Sequence, residues 1–192
     1  MRIISGMHRG RKIHLPKDTK TIRPTSDFVR EAMFNVLAHG RFNDNVNVVQ
    51  DAVVADICAG SGALGLEALS RGAAHVTFAD QSREALDIVR KNIEHFKEAD
   101  RSHILSADVT NLPYSKHKHD VILMDPPYHK GMIPAILHGL ETQGWLAGEA
   151  IIIAERDMKD EQSLPENFEL VDQRNYGRTS LDVMRYHQSC SA

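Results

Sequence analysis

The chain has 192 residues, a length that supports one α/β domain with a short appendage but leaves no room for a second full-sized domain. Hydrophobic residues make up 42% of the sequence and charged residues 26%, as in soluble globular proteins, and the formal net charge is −3. No apolar run reaches the roughly 20 residues that span a bilayer, the amino terminus lacks the apolar region of a signal peptide, and Cys58 and Cys190 indicate no disulfide framework, so we expect a cytoplasmic protein.

The first 30 residues are strongly basic. Their eight Lys/Arg and two acids give a balance of +6, whereas the other 162 residues have a balance of −9. Two short apolar stretches in residues 2–15 flank a Gly/Arg-rich turn, which predicts a hairpin with Arg9, Arg11 and Lys12 near its tip. These three residues are candidates for RNA phosphate contacts, and the structural alternative is a solvated tail.

A helix is predicted after the segment Arg23-Pro-Thr25. Thr25 or Ser26 is a suitable N-cap, apolar residues recur at helical spacing from Val29, and Gly40 ends the pattern. The polar, Asn-rich loop that follows marks a boundary. We therefore divide the chain into a basic hairpin and helix extension, residues 1–45, and a main domain, residues 46–192.

The main domain opens with a buried strand and a glycine-rich loop. Residues 52–58 are apolar, and Gly60, Gly62 and Gly65 then form GxGxxG in a strand-turn-helix context. This pattern also suits a dinucleotide enzyme or an unrelated turn. Asp56 lies four residues before the first glycine, where a carboxylate can meet the ammonium group of a methionine moiety and would repel a phosphate.

Two further strands are predicted to end near acidic residues. The strand at residues 75–79 leads to Asp80, which follows Gly60 by 20 residues, the usual separation for a carboxylate that binds ribose hydroxyls. The strand at residues 103–107 leads to Asp108, in position for an adenine amino group. The alternative for such acids is an ordinary place on the surface.

The fourth apolar run, residues 120–124, ends in the tetrapeptide Asp125-Pro126-Pro127-Tyr128. Two prolines cannot continue a central strand, so the chain leaves the sheet in a stiff turn at a strand's carboxyl end, where open α/β sheets bind ligands. The Asp125 carboxylate and the Pro126 carbonyl can accept hydrogen bonds from an exocyclic amine of a nucleobase, and Tyr128 offers a stacking face. The tetrapeptide resembles motif IV of amino methyltransferases; a turn with a packing tyrosine is the alternative.

The rest of the sequence completes an α/β pattern. A helix is predicted at residues 133–140, a strand at 150–155, and a closing antiparallel pair at 168–171 and 181–186, while Trp145 is predicted to pack. The cluster Lys116-His-Lys-His119 lacks a nearby carboxylate or cysteine partner, so we interpret it as a solvated loop, and we predict no metal site.

Taken together, these segments resemble the RsmD family of enzymes, which methylate N2 of a guanine in 16S rRNA. The likeness rests on the basic start, on Arg23-Pro-Thr25, on the glycine loop, on Asp125 to Tyr128 and on residues 176–179 (Tyr-Gly-Arg-Thr). It implies a class I methyltransferase fold, a Rossmann-like, seven-stranded, mostly parallel sheet with helices on both faces. Cys58 stands where a phenylalanine is expected.

The resemblance also implies a donor and a set of site residues. The donor is S-adenosyl-L-methionine, and target-base chemistry falls to Asp125, Pro126, Pro127 and Tyr128. The implied substrate is 16S rRNA in the small ribosomal subunit, and we favour a monomer. The implied donor-binding residues are Arg23, Thr25, Asp56, Ala59, Gly60, Ser61, Gly62, Asp80, Gln81 and Asp108.

Three other functions share some of these features. An N6-adenine DNA methyltransferase can carry the same tetrapeptide, but it generally needs a target-recognition region that 192 residues hardly accommodate. A nicotinamide-dependent oxidoreductase would explain the glycines and Asp80 but not Asp125 to Tyr128. A non-catalytic RNA-binding protein would explain only the basic arm. The motif chemistry alone does not separate guanine N2 from adenine N6.

Overall fold

The computed structural model describes residues 1–15, 26–128, 131–160 and 163–188, which form seven strands and four α-helices. The strands are β1 Val53–Ile57, β2 His75–Asp80, β3 Ser102–Ser106, β4 His119–Met124, β5 Leu146–Asp157, β6 Phe168–Tyr176 and β7 Thr179–Tyr186. The helices are α1 Asp27–His39, α2 Ala63–Ser70, α3 Arg83–Phe96 and α4 Met132–Thr142. Within these ranges no helix has the length and apolar character to cross a membrane.

All seven strands lie in one sheet with the order β3-β2-β1-β4-β5-β7-β6. The five strands from β3 to β5 are parallel, and β7 lies antiparallel between β5 and the edge strand β6. The predicted seven-stranded, mostly parallel sheet is thus confirmed. Because the strand order reverses between β1 and β4, a crevice opens at their carboxyl ends, and this edge of the sheet is called the catalytic edge below.

The sheet is covered on both faces, as predicted. Alternate strand residues such as Val54, Phe78 and Leu123 belong to the apolar cluster that includes α1, α2 and α3. Their neighbours in sequence, such as Ala55 and Ile122, belong to the cluster that includes α4. Apolar side chains on both faces are typical of parallel strands buried between helix layers.

Side-chain caps fix the starts of two helices. The Ser26 hydroxyl accepts a hydrogen bond from the Val29 amide at 3.1 Å, which makes Ser26 the N-cap of α1. The Ser82 hydroxyl accepts one from the Ala85 amide at 3.3 Å at the start of α3. Each cap satisfies a backbone donor that the first helical turn leaves without a partner.

The predicted amino-terminal hairpin is present, but it is packed against the main sheet layers. Arg2 and Lys12 form its antiparallel bridge, and Ile3 and Ile13 are buried in the same cluster as α2 and α3. The amides of Ile4 and Ser5 also donate to the fully buried Glu67 carboxylate of α2, at 2.8 and 3.0 Å. The boundary between residues 45 and 46 stays a prediction from sequence.

Two polar residues lie deeper than their sequence context indicates. Arg30, counted above in the basic segment, is fully buried, and its guanidinium contacts Asp27 at 3.0 Å and Glu67 at 3.7 Å. It is therefore unavailable to a polyanion. His119 is buried too, because it begins β4 and its ring stacks on Trp145 with centroids 5.0 Å apart. The solvated loop thus ends before His119, and Trp145 packs as predicted.

Candidate active site

The glycine loop between β1 and α2 has an unusual backbone. Cys58, Gly60 and Gly62 all have positive φ values, of 63°, 54° and 78°. Glycine adopts this conformation without cost, whereas it is strained for a cysteine. The loop is closed by a hydrogen bond from the Gly62 amide to the Ala59 carbonyl, at 2.7 Å. A tight turn of this kind brings backbone close to any ligand that lies above it.

Neighbouring elements hold the loop in place. The Ala59 amide donates to the Ala79 carbonyl of β2 at 3.1 Å. The buried Asn92 side chain of α3 donates to the Ser61 carbonyl at 2.9 Å, and it also donates to the His14 carbonyl of the hairpin at 3.0 Å. Asn92 therefore links the hairpin to the loop, a role that its place on an apolar helix face did not reveal.

Asp56 is almost completely buried beneath the loop. Its carboxylate accepts a hydrogen bond from the Gly65 amide at 2.9 Å, in the first turn of α2. Burial raises the pKa of Asp56 well above its ordinary value, and the negative charges of Asp80 and Asp125 raise it further. Asp56 thus supports the start of α2, and its predicted contact with a donor ammonium group stays a prediction.

Asp80 and Asp108 lie where they were predicted from sequence: Asp80 is the last residue of β2, and Asp108 follows β3. The Asp80 carboxylate accepts from the Gly60 amide at 2.9 Å and from the Ser82 amide at 2.8 Å, so it joins the glycine loop to the start of α3. Gln81 is exposed between these elements. Asp108 accepts from the hydroxyl and the amide of Thr110, and these bonds lower its pKa.

The tetrapeptide leaves β4 at the catalytic edge, as predicted. Pro126 is buried, Pro127 is exposed, and Asp125 and Tyr128 are half-buried. The Tyr128 hydroxyl donates to the Glu155 carboxylate at the end of β5 and lies 3.1 Å from the Thr179 hydroxyl of β7. Burial, together with Glu155, raises the pKa of the Tyr128 phenol, so it stays protonated at neutral pH.

Sequence reasoning did not connect Glu155 or Thr179 with Tyr128. Glu155 lies at a strand's carboxyl end, which is a visible signal. Thr179 belongs to the Tyr-Gly-Arg-Thr segment of the family likeness, but its contact with Tyr128 has no local signal, because that contact depends on the antiparallel pairing of β5 with β7, in which Asp157 lies opposite Thr179. Together they fix the Tyr128 ring.

The charges of four aspartates act on the thiol of Cys58 at the start of the glycine loop. Burial raises its pKa, and the charges of Asp80, Asp125, Asp56 and Asp108 all raise it further, so the four acids lie within electrostatic reach of one point. Such a negative cleft favours a cationic ligand and opposes the pyrophosphate of a dinucleotide. The cleft therefore fits a sulfonium compound with an ammonium group, such as S-adenosylmethionine.

The three predicted RNA-contact residues have different surroundings. Arg9 and Lys12 are exposed, and within the described parts of the chain their side chains form no hydrogen bond or ion pair. Arg11 instead donates to His8 Nδ1 at 2.9 Å and to the His95 carbonyl, and its guanidinium lies 4.5 Å from the centre of the Phe96 ring. Arg23 and Thr25 lie outside the described residues.

The sequence was also compared with known proteins. The family model described as "Conserved hypothetical protein 95" matches residues 1–185. The chain is 38% identical to "Ribosomal RNA small subunit methyltransferase D" of Escherichia coli K12 over 171 residues, which is 88% of this chain and 82% of that protein. The protein of the same name from Haemophilus influenzae is 31% identical, over 94% of this chain and 91% of its own length.

Solved structures give the same result. The structure of the E. coli protein yhhF has a TM-score of 0.84 at 32% identity, covering 98% of this chain and 99% of that chain. The methylase HI0767 from H. influenzae has a TM-score of 0.76 at 28% identity, covering 97% and 98%. The alignments thus cover the hairpin, the glycine loop and the closing strands alike. The chain therefore belongs to the RsmD family of S-adenosylmethionine-dependent methyltransferases.

Proposed function

We propose that this enzyme transfers a methyl group from S-adenosylmethionine to the exocyclic N2 amine of a guanine in 16S rRNA of the small ribosomal subunit. The names of the E. coli and H. influenzae relatives support small-subunit rRNA as the substrate. The observation that carries the proposal is the placement of Asp125 and Tyr128 at the catalytic edge, beside the acid-lined glycine loop.

The residues that would hold the donor surround the loop. Asp56 and Asp108 would meet the two ends of the donor, and Asp80, whose carboxylate accepts from the Gly60 amide, would meet its ribose. The backbone of residues 59–62 would lie against the donor, in a turn whose positive φ values at Gly60 and Gly62 suit glycine. When bound, S-adenosylmethionine supplies an electrophilic methyl group and a good leaving group.

The tetrapeptide would act on the acceptor amine. The lone pair of this nitrogen is delocalised into the base, so it is a weak nucleophile until it is held in line with the methyl carbon. The Asp125 carboxylate accepts a hydrogen bond from the amine and stabilises the positive charge that develops on nitrogen during transfer, and the methylated nitrogen then releases one proton to solvent. The Pro126 carbonyl accepts the second hydrogen, which fixes the direction of the lone pair.

Tyr128 would hold the base in the plane that the transfer needs. Its hydroxyl is bound by Glu155 and Thr179, so the ring has lost its freedom to rotate before the substrate arrives. A prepositioned aromatic face binds a base with little loss of entropy. The target base must be unpaired and unstacked to reach this ring, which favours guanines in loops.

The test is transfer of a labelled methyl group to small subunits that lack the modification, followed by mass spectrometry of the nucleosides. We expect N2-methylguanosine as the labelled product. N6-methyladenosine would show that the tetrapeptide serves adenine in this enzyme, and no label in RNA would contradict the proposal. Deproteinised 16S rRNA, tested in parallel, separates free RNA from the assembled subunit as the substrate.

A further inference from the structure

A groove runs along one side of the molecule between α1 and the edge strand β6. Its volume is about 350 Å³, which is within the range of small-molecule sites. One face of α1 lines it with Phe28, Glu31 and Asn35, and one face of β6 lines it with Asp172, Arg174 and Tyr176. None of these residues takes part in the donor or tetrapeptide chemistry described above.

The groove begins at the catalytic edge. Tyr176 ends β6 and pairs with Thr179, the first residue of β7, across a two-residue turn. Gly177 has a positive φ of 62°, as the first position of a type II′ hairpin requires. Thr179 in turn contacts the Tyr128 hydroxyl at 3.1 Å. The mouth of the groove is therefore one strand pair away from the ring that would hold the target base.

Two aromatic side chains form this mouth. Phe28 is 63% exposed, although it is a large apolar residue, and its ring lies edge-on to Tyr176 with centroids 5.5 Å apart. Tyr176 is half-buried, so the exposed ring of Phe28 is the stacking surface for a nucleobase, and every nucleobase presents a π-face. The contact with Tyr176 also holds the Phe28 ring at the mouth of the groove, beside the strand pair that leads to Tyr128.

The groove below the mouth also offers hydrogen-bond acceptors. Within the described residues, the exposed Glu31 carboxylate forms no hydrogen bond or ion pair. Asp172, by contrast, is bound by Arg174 at 3.0 Å and by the Gln173 amide at 2.8 Å. A free carboxylate can only accept, so it suits a base with an exocyclic amine, and uracil has none.

We propose that this groove binds a second nucleotide of the RNA, one that flanks the methylated base, with its ring against Phe28 and its exocyclic amine directed to Glu31. This inference rests on the proposed function, because it needs RNA at the catalytic edge. Holding a neighbouring nucleotide would keep the target nucleotide unstacked and would let the enzyme select its position. The groove would thus contribute to substrate binding and leave the chemical step unchanged.

The first test is steady-state methylation of small subunits by the Phe28→Ala variant. Loss of one base-aromatic stack should raise KM about tenfold, with kcat and donor affinity unchanged. Phe28→Tyr keeps the stacking face and should restore KM. The matched control is Tyr114→Ala, which removes an aromatic residue that is 72% exposed near the amino ends of the strands, away from the catalytic edge.

Unfolding midpoints of the variants check that the fold is intact. We expect them to match the wild type, because Phe28 and Tyr114 are both exposed. A wild-type KM in Phe28→Ala, or an equal rise in Tyr114→Ala, would overturn the inference. A wild-type enzyme that transfers no label to RNA would instead contradict the proposed function.

The second test needs no turnover. Affinity for short single-stranded oligo(C), oligo(A) and oligo(U) is measured by fluorescence anisotropy with the wild-type enzyme and with Phe28→Ala and Glu31→Ala. We expect oligo(C) and oligo(A) to bind more tightly than oligo(U), all three to bind more weakly to Phe28→Ala, and the preference to disappear in Glu31→Ala. Alanine is a good helix former, so the second variant preserves α1. Equal binding of the three oligonucleotides by the wild-type enzyme would refute the role given to Glu31.

Discussion

Asp125 is the residue on which the proposed chemistry depends. Replacing it with alanine removes the acceptor for the target amine and the negative charge that stabilises the developing cation. We expect kcat to fall by about 10²- to 10³-fold, the usual cost of losing one electrostatic stabiliser of a transition state. Binding of the donor product S-adenosylhomocysteine, measured by calorimetry, should stay nearly unchanged. Equal losses in both measurements would show that Asp125 belongs to the donor site.

Asp56 illustrates a conflict between stability and binding at a single position. An unfolded aspartate ionises near its ordinary pKa of 3.8, whereas burial raises the pKa of Asp56 in the folded protein. The folded state therefore binds more protons above about pH 4, so this residue's contribution to stability falls as pH rises from there through the raised pKa.

Replacing Asp56 with asparagine should remove this loss of stability at rising pH. The amide oxygen can still accept the hydrogen bond from the Gly65 amide, and no charge has to be buried. We expect the variant to exceed the wild type in free energy of unfolding at pH 7 and to bind the cationic donor more weakly. Denaturant unfolding between pH 4 and 7 measures the first effect and calorimetry the second. The exposed Asp100→Asn is the control, and parallel pH profiles for Asp56→Asn and the wild type would contradict the predicted role of burial.

At the scale of elements, the contact between α2 and β2 positions the glycine loop. Gly65 lies so close to Phe78 that an added Cβ would be 2.3 Å from a ring atom and 2.8 Å from Val76. Gly65→Ala should therefore overpack this contact and lower the free energy of unfolding by about 1 to 3 kcal/mol. Because α2 begins at the loop, donor affinity should fall as well.

Gly139→Ala in α4 is the matched control for that substitution. Nothing lies within 4 Å of a Cβ added at Gly139, so only helix propensity changes. We expect this variant to be more stable by roughly 0.5 to 1 kcal/mol, with unchanged donor affinity. Chemical denaturation and calorimetry of the two variants measure both effects. Destabilisation by Gly139→Ala would show that backbone constraints, and not the contact with Phe78, dominate at such positions.

Elements with local signals were predictable from sequence, and contacts between distant elements were not. Ser26 and Gly40 gave the limits of α1, and the apolar run before Asp125 gave β4 to within one residue. Strand β6 extends to Tyr176, well past the predicted end at residue 171. The sequence did not indicate this extension, because the exposed polar residues of β6 lack an apolar alternation. The contact of Tyr128 with Thr179 follows only from the order of β5, β7 and β6.

At the scale of the whole molecule, the hairpin tip and the catalytic edge lie at opposite ends of the helix layer. The Met7 amide donates to the Ser70 carbonyl at the end of α2, and His8 bonds Glu98 just beyond α3. The amino ends of both helices face the catalytic edge. Because α2 has 8 residues and α3 has 14, the hairpin tip lies about 12 to 20 Å from that edge. RNA that contacts both must therefore extend along this face of the molecule.

This geometry predicts that the hairpin tip contributes affinity and not catalysis. The double variant Arg9→Ala/Lys12→Ala should weaken binding to small subunits and reduce the slope of log K against log salt concentration by about 0.7 to 0.9 for each phosphate that the variant no longer neutralises. Its kcat at saturating substrate should match the wild type. The charge-matched control is Lys116→Ala/Lys118→Ala, in an exposed loop near the amino ends of the strands.

Arg11→Ala should behave differently from that double variant. Its guanidinium already serves the fold through His8, the His95 carbonyl and the Phe96 ring, so its removal should lower the free energy of unfolding by about 1 to 2 kcal/mol. Filter binding over a range of salt concentrations, combined with denaturant unfolding, separates the two effects.

If the tip and control double variants showed the same salt dependence as each other, subunit binding would depend on overall charge alone, and the hairpin would be only a structural support for α2 and α3.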